Sequence, residues 1–175
     1  SDCSSLCSDA LVISGSAGRA VKGVWKISGT SLNAASRNGS VEYSLDVPAS
    51  GFYRLEIEGA PRNSSAGQIP FLLNLLIDGS SCGVQTLSAS YGIPGRTCFY
   101  LPKLRQGAHT ARIVWENSAV NVFLSINTLR LQTLGGSDTD GNGIPDWVDA
   151  RNAKLSEVTV PPSSRTSPLC IEGAN

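Results

Sequence analysis

The chain has 175 residues, with 14 basic and 14 acidic side chains and a formal net charge of zero. That length holds one domain with appendages, and the charge balance gives no electrostatic drive towards nucleic acid or an acidic membrane surface. Eighteen glycines, only 16% charged residues and no run near the ~20 apolar residues of a membrane span favour an all-β domain rich in turns and exclude membrane insertion by a helix.

In chain order, residues 1–10 read as a polar lead that carries two cysteines. Leu11 to Ile13 and Val21 to Ile27 are expected as short strands, interrupted by Gly15, Gly18 and Gly23. Gly39 to Val47 alternates, with Val41, Tyr43, Leu45 and Val47 on one face and Glu42, Ser44 and Asp46 on the other, the pattern of a half-buried strand. After the turn Pro48 to Gly51, Phe52 to Glu58 alternates again, with Tyr53, Leu55 and Ile57 inward and Arg54, Glu56 and Glu58 towards solvent. Residues 62–68 form a loop. Phe71 to Ile77 is nearly continuous apolar and is expected as a core strand ending at Asp78-Gly79. Cys98 to Leu101, His109 to Trp115 and Val120 to Leu131 complete the strands, the last two forming a hairpin around Glu116 to Ser118. No helical period of useful length precedes residue 146, so short strands and turns together predict a β-sandwich.

Residues 138–149 read Asp-Thr-Asp-Gly-Asn-Gly-Ile-Pro-Asp-Trp-Val-Asp. Asp138, Asp140 and Asn142 alternate as oxygen ligands, Gly143 permits the turn, and the Ile144 carbonyl would fill position seven. Asp146 falls at position nine and Asp149 closes the sphere at position twelve. Four carboxylates in twelve residues repel one another without a cation, and Ca²⁺ takes six to eight oxygens at about 2.3–2.6 Å. Pro145, the Asp in place of Glu at position twelve and the non-helical flank 131–137 separate the loop from an EF-hand. It resembles the bacterial thrombospondin type 3 repeat, which implies a structural calcium bracing the joint between extracellular domains, with Trp147 as a hydrophobic anchor. The expected organisation is therefore a sandwich over 1–134, the calcium loop over 135–152, and a Ser/Pro-rich linker or tail over 153–175.

Five cysteines fit an oxidising compartment and an extracellular, secreted or cell-surface location. Cys82 and Cys98 are expected to pair, closing a loop worth about 3 kcal/mol. Cys170 is expected to tie the tail back to Cys3 or Cys7, which leaves one thiol over. No methionine and no visible signal peptide fit a piece of a longer chain, with neighbouring domains as partners.

Residues 41–57 (with Val-Pro-Ala-Ser-Gly-Phe-Tyr), Leu-Leu-Ile-Asp-Gly (75–79), Leu-Arg-Gln-Gly-Ala-His-Thr-Ala-Arg-Ile-Val-Trp (104–115) and Leu-Ser-Ile-Asn-Thr-Leu-Arg-Leu (124–131) resemble the jelly-roll carbohydrate-binding modules of families 6 and 35. The resemblance spans roughly residues 10–131 and implies a jelly-roll fold and a glycan ligand held by loops at one end. The acidic N-terminal residues with which many such modules hold a calcium have no counterpart here. A pyranose needs an exposed ring to stack on, with polar groups beside it; Tyr91, Trp25, Asn117 and Asn121 are the candidates. Tyr91, in the glycine-rich stretch 88–95, is the leading ring. Trp25 and Trp115 fit core positions better, and Asn117 and Asn121 are also ordinary turn residues.

His109 is the only histidine, at the start of a strand, where a structural role outweighs a nucleophilic triad. Glu42, Asp46, Glu56 and Glu58 alternate on solvent faces and make no glycosidase pair. A non-enzyme is expected. The function that follows is a non-catalytic carbohydrate-binding module of a larger secreted protein. A structural or adhesive sandwich without a sugar site is the alternative.

Overall fold

The computed structural model describes residues 7–63, 67–117 and 122–135. Among the described residues, eleven strands form two antiparallel sheets: β1 (Cys7–Ser14), β2 (Arg19–Lys22), β3 (Trp25–Ser28), β4 (Ser31–Ala34), β5 (Gly39–Val47), β6 (Tyr53–Pro61), β7 (Ile69–Ile77), β8 (Ser80–Ala89), β9 (Gly95–Tyr100), β10 (Gly107–Trp115) and β11 (Leu124–Leu134). The first sheet runs β3-β4-β11-β6-β9, with β1 also pairing along β11, and the second runs β2-β5-β10-β7-β8. Neighbours in the sheets are mostly distant in sequence, as the crossing connections of a jelly roll require.

One face of each sheet supplies the core. Val41, Tyr43, Leu45 and Val47 of β5 meet Leu55, Ile57, Phe99, Leu129 and Leu131 of the opposite sheet, all essentially without solvent contact. Each such side chain contributes about 1.5–3 kcal/mol on burial, so these alternating runs dominate the stability. Phe71 and Trp115 meet edge-to-face at 5.7 Å and 69°, an arrangement worth about 1 kcal/mol beyond the buried area. The Tyr43 hydroxyl donates to the Gly15 carbonyl at 2.9 Å, and burial raises its pKa.

Several expectations change. The polar lead is shorter, because β1 begins at Cys7 and pairs with β11 up to Leu134. β4 was not foreseen, the bounds of β8 were not drawn, and β10 and β11 lie in different sheets, so they do not form the expected hairpin. Phe71 to Ile77 is covered on one face only, with Phe71, Leu73, Leu75 and Ile77 buried and Leu72 exposed. Val21, Val24 and Ile27 are exposed, because β2 and β3 are edge strands, so Trp25 alone of that stretch packs inward. Glu42 keeps its place on the outer face of β5, where hydrogen bonds from Arg112, the larger cause, and the nearby Arg19 lower its pKa. Arg54 and Glu56, expected in solvent, are buried.

Candidate ligand-binding site

The register divides the connections between two rims of the sandwich. Gly39 pairs with Trp115, Leu124 with Pro61 and Ile69 with Ala89, so the turns after β4, β6, β8 and β10 share the upper rim. Val47 pairs with Gly107 and Tyr53 with Thr133, so the connections 48–52, 78–79 and 101–106 share the lower rim. Tyr91, Trp25 and Asn117 all fall on the upper rim, as a loop-borne glycan site requires. Asn121 lies outside the described residues.

Tyr91 sits in the tight turn that carries the chain from β8 in the second sheet to β9 in the first. Ser90 and Ile93 exchange backbone hydrogen bonds of 3.2 and 2.9 Å across it, and Gly92 takes the left-handed position at φ +80°. The tight turn pushes both apolar side chains outward, leaving Tyr91 54% and Ile93 69% exposed. An exposed ring on a hydrogen-bonded turn is a usable stacking surface. No other aromatic side chain among the described residues is as open.

The other candidates are largely occupied. Trp25 donates from Nε1 to the Lys22 carbonyl at 3.0 Å and lies over Gly39, where a Cβ would come within 2.6 Å of the indole nitrogen. It is half-buried, and four strand spacings of about 4.8 Å separate its strand from β9, so it and Tyr91 do not form one site. Asn117 accepts from the Leu72 amide and from Trp115 Nε1, both at 2.9 Å, and donates to the Pro70 carbonyl at 2.7 Å. One N–H remains for any ligand. Its primary work is to close the β7–β10 end of the second sheet.

The lower rim holds what the sequence reasoning missed. A cleft of about 520 Å³ is floored by Ile77, Pro102 and Leu104 and bordered by Asp78, Lys103 and His109. Asp78 takes the left-handed region at φ 49° and accepts from the Thr110 amide at 2.9 Å. His109 Nδ1 donates to Asp78 at 2.6 Å and Nε2 donates to the Arg105 carbonyl at 2.7 Å. Both partners are acceptors, so the imidazolium is the form that satisfies them, and the Asp78 hydrogen bond is the first cause of a raised pKa. A ring held this way fastens the 101–106 connection and has no free nitrogen to act as a base. The signal was present as Asp-Gly and Gly-Ala-His in two separate segments, but only the β7–β10 pairing brings them together.

The expected Cys82–Cys98 bond is not formed. Cys82 belongs to the core, whereas Cys98 points out of the first sheet opposite the inward Phe99, so strand alternation sends the two sulfurs to different faces. Cys7 opens β1; Cys3 and Cys170 lie outside the described residues. All six expected calcium ligands, Asp138 to Asp149, also lie outside them. Among the described residues, no cluster of three metal-ligating side chains occurs.

No family model matches the chain. No curated protein matches it either. Solved structures do. A family 35 carbohydrate-binding module from Clostridium thermocellum is similar at 14% identity and a TM-score of 0.52, over 69% of this chain and 95% of that one. A family 35 module from Paenibacillus barcinonensis is similar at 11% identity and a TM-score of 0.54, over 70% and 98%. A family 36 module in complex with calcium and xylotriose is similar at 15% identity and a TM-score of 0.50, over 69% and 98%. At these identities the likeness is one of fold: the chain has the jelly-roll sandwich of carbohydrate-binding modules.

Proposed function

We propose that the chain is a non-catalytic carbohydrate-binding module of a larger secreted or cell-surface protein, and that it holds its glycan at the upper rim against Tyr91. The observation that carries this is the exposed ring on a hydrogen-bonded turn between the two sheets, in a fold otherwise like that of solved sugar-binding modules. The ring would stack on the C–H face of a pyranose, and the neighbouring Ile93 extends the apolar platform. Residues 138–149 are assigned a structural Ca²⁺ on the strength of their ligand spacing, and the tail beyond them leads towards a neighbouring domain. An extracellular setting fits both this metal and disulfides at Cys7 and Cys82.

The test is a glycan-array screen of the chain in millimolar calcium and again in excess EGTA. Binding to a related group of glycans supports the module. A blank from folded protein in both conditions favours a structural or adhesive sandwich. That second reading has an observation of its own, because Trp25 and Asn117 spend their polar atoms inside the fold.

A further inference from the structure

The lower-rim cleft presents main-chain donors that no described residue accepts from. Leu104 and Gly51 exchange backbone hydrogen bonds of 2.9 and 3.0 Å, the pairing of an antiparallel bridge. In such a pair the main chain of the flanking residues points the other way. The Arg105 carbonyl does so, because it accepts at 2.7 Å from Nε2 of His109, a ring that lines the cleft. The amide N–H groups of Lys103 and Arg105 lie on that same side, and among the described residues neither has an acceptor.

The side chains of the same stretch carry unmatched charge. Leu104 is 3% exposed and turns into the core, so alternation sends Lys103 and Arg105 outward together, about 6–7 Å apart along the chain. Neither joins an ion pair with a described carboxylate, whereas Arg19, Arg54, Arg96, Arg112 and Arg130 all do. The one carboxylate lining the cleft is Asp78, and both of its oxygens are engaged, one by the Thr110 amide and one by His109. With His109 as the imidazolium, three cations border the cleft against one anion that is already spent.

We propose that this cleft docks a segment of extended acidic peptide from a partner protein, with carboxylates at alternate positions and an apolar residue between them. Charge complementarity and strand spacing name the occupant together. A peptide strand laid along 103–105 repeats its side chains every 6–7 Å or so, so two acidic residues face Lys103 and Arg105 in register. Its carbonyls receive the two waiting amides, as when a strand is added to an open edge. The residue between turns the other way, towards the apolar floor of Ile77, Pro102 and Leu104. An acidic polysaccharide would answer the cations alone, whereas main-chain donors at strand spacing favour a peptide. The cleft lies on the rim opposite Tyr91, and the proposal does not depend on any glycan being bound.

Fluorescence anisotropy of the full chain tests it, with the labelled peptides Thr-Glu-Val-Glu-Thr and Thr-Gln-Val-Gln-Thr as probes. The acidic peptide is expected to bind about tenfold or more tightly than its glutamine counterpart. Lys103→Gln combined with Arg105→Gln is expected to remove that preference without moving the melting temperature, since both side chains are exposed. A second measurement leaves the sequence unaltered: in the native chain, the amide NMR resonances of Lys103 and Arg105 are expected to shift as the acidic peptide is added. No binding, equal binding of the two peptides, or undiminished binding by the double variant overturns the proposal. Shifts confined to residues outside the cleft do so as well. Displacement of the peptide by an oligogalacturonate of equal charge at the same concentration would assign the cleft to acidic glycans instead, and overturns the peptide reading.

Discussion

Two acceptors hold the ring of His109, the Asp78 carboxylate and the Arg105 carbonyl, and only the imidazolium donates to both. Its folded pKa is therefore raised above the ordinary 6.5. A raised pKa contributes stability that is complete below the unfolded value and is lost as pH rises through the folded one. Denaturation midpoints are expected to fall as pH rises from the ordinary histidine value through the raised folded one, and His109→Gln should flatten that fall. An equally steep profile in the variant would remove His109 from the account. Asn117 offers a separate check. Replacing it by alanine leaves the buried indole N–H of Trp115 and the Leu72 amide without their acceptor, at a cost of about 2 kcal/mol in chemical denaturation. Which single residues are inward was legible where alternation is strict, as in Val41 to Val47. The double engagement of His109 was not, because Asp78 lies 31 residues upstream at the end of the neighbouring strand, and Arg105, only four residues back, is brought under the ring by the bend of the 101–106 connection.

β8 shows why one strand escaped the periodicity. Cys82, Gln85, Leu87 and Ala89 point inward, but the step from 82 to 85 is three residues, because a register shift opposite Asn74–Leu76 is absorbed around Gly83 at φ +96°. A bulge breaks the two-residue period, and small or polar inward side chains hide what is left. The turn after β8 separates two kinds of glycine. A Cβ at Gly92 meets nothing within 4 Å, so Gly92→Ala should cost only the backbone strain of φ +80°, about 1–2 kcal/mol. A Cβ at Gly95 would lie 1.9 Å from the Ser88 carbonyl oxygen, where β8 and β9 join the margins of the two sheets. Gly95→Ala should therefore lower the melting temperature much more than Gly92→Ala, as paired thermal scans would show. Equal shifts would mean that the margins separate at little cost.

At the scale of the molecule, the sandwich was legible because its alternating runs fall at the centre of each sheet, where both neighbours enforce burial. The faces outside the core were not. β6 reads as an inward apolar row and an outward charged row, and nothing in that pattern says that Arg54 and Glu56 will be covered. The calcium loop adds a prediction for the whole chain. Calcium at about one hundred times its dissociation constant stabilises a binding-competent fold by about 2.7 kcal/mol. Calorimetry in calcium and in EGTA should therefore give separated melting curves, and Asp140→Ala should abolish the difference. Coincident curves for the native chain would rule out a stabilising metal.

If a glycan stacks on Tyr91 at the upper rim, titration calorimetry of the native chain and of Tyr91→Ala against an array-identified glycan will separate the two proteins. Measurable binding by the native chain is expected, with a loss of about tenfold or more in the variant, equivalent to about 1.4 kcal/mol, and an unchanged melting temperature. Equal affinity in the two proteins would contradict it.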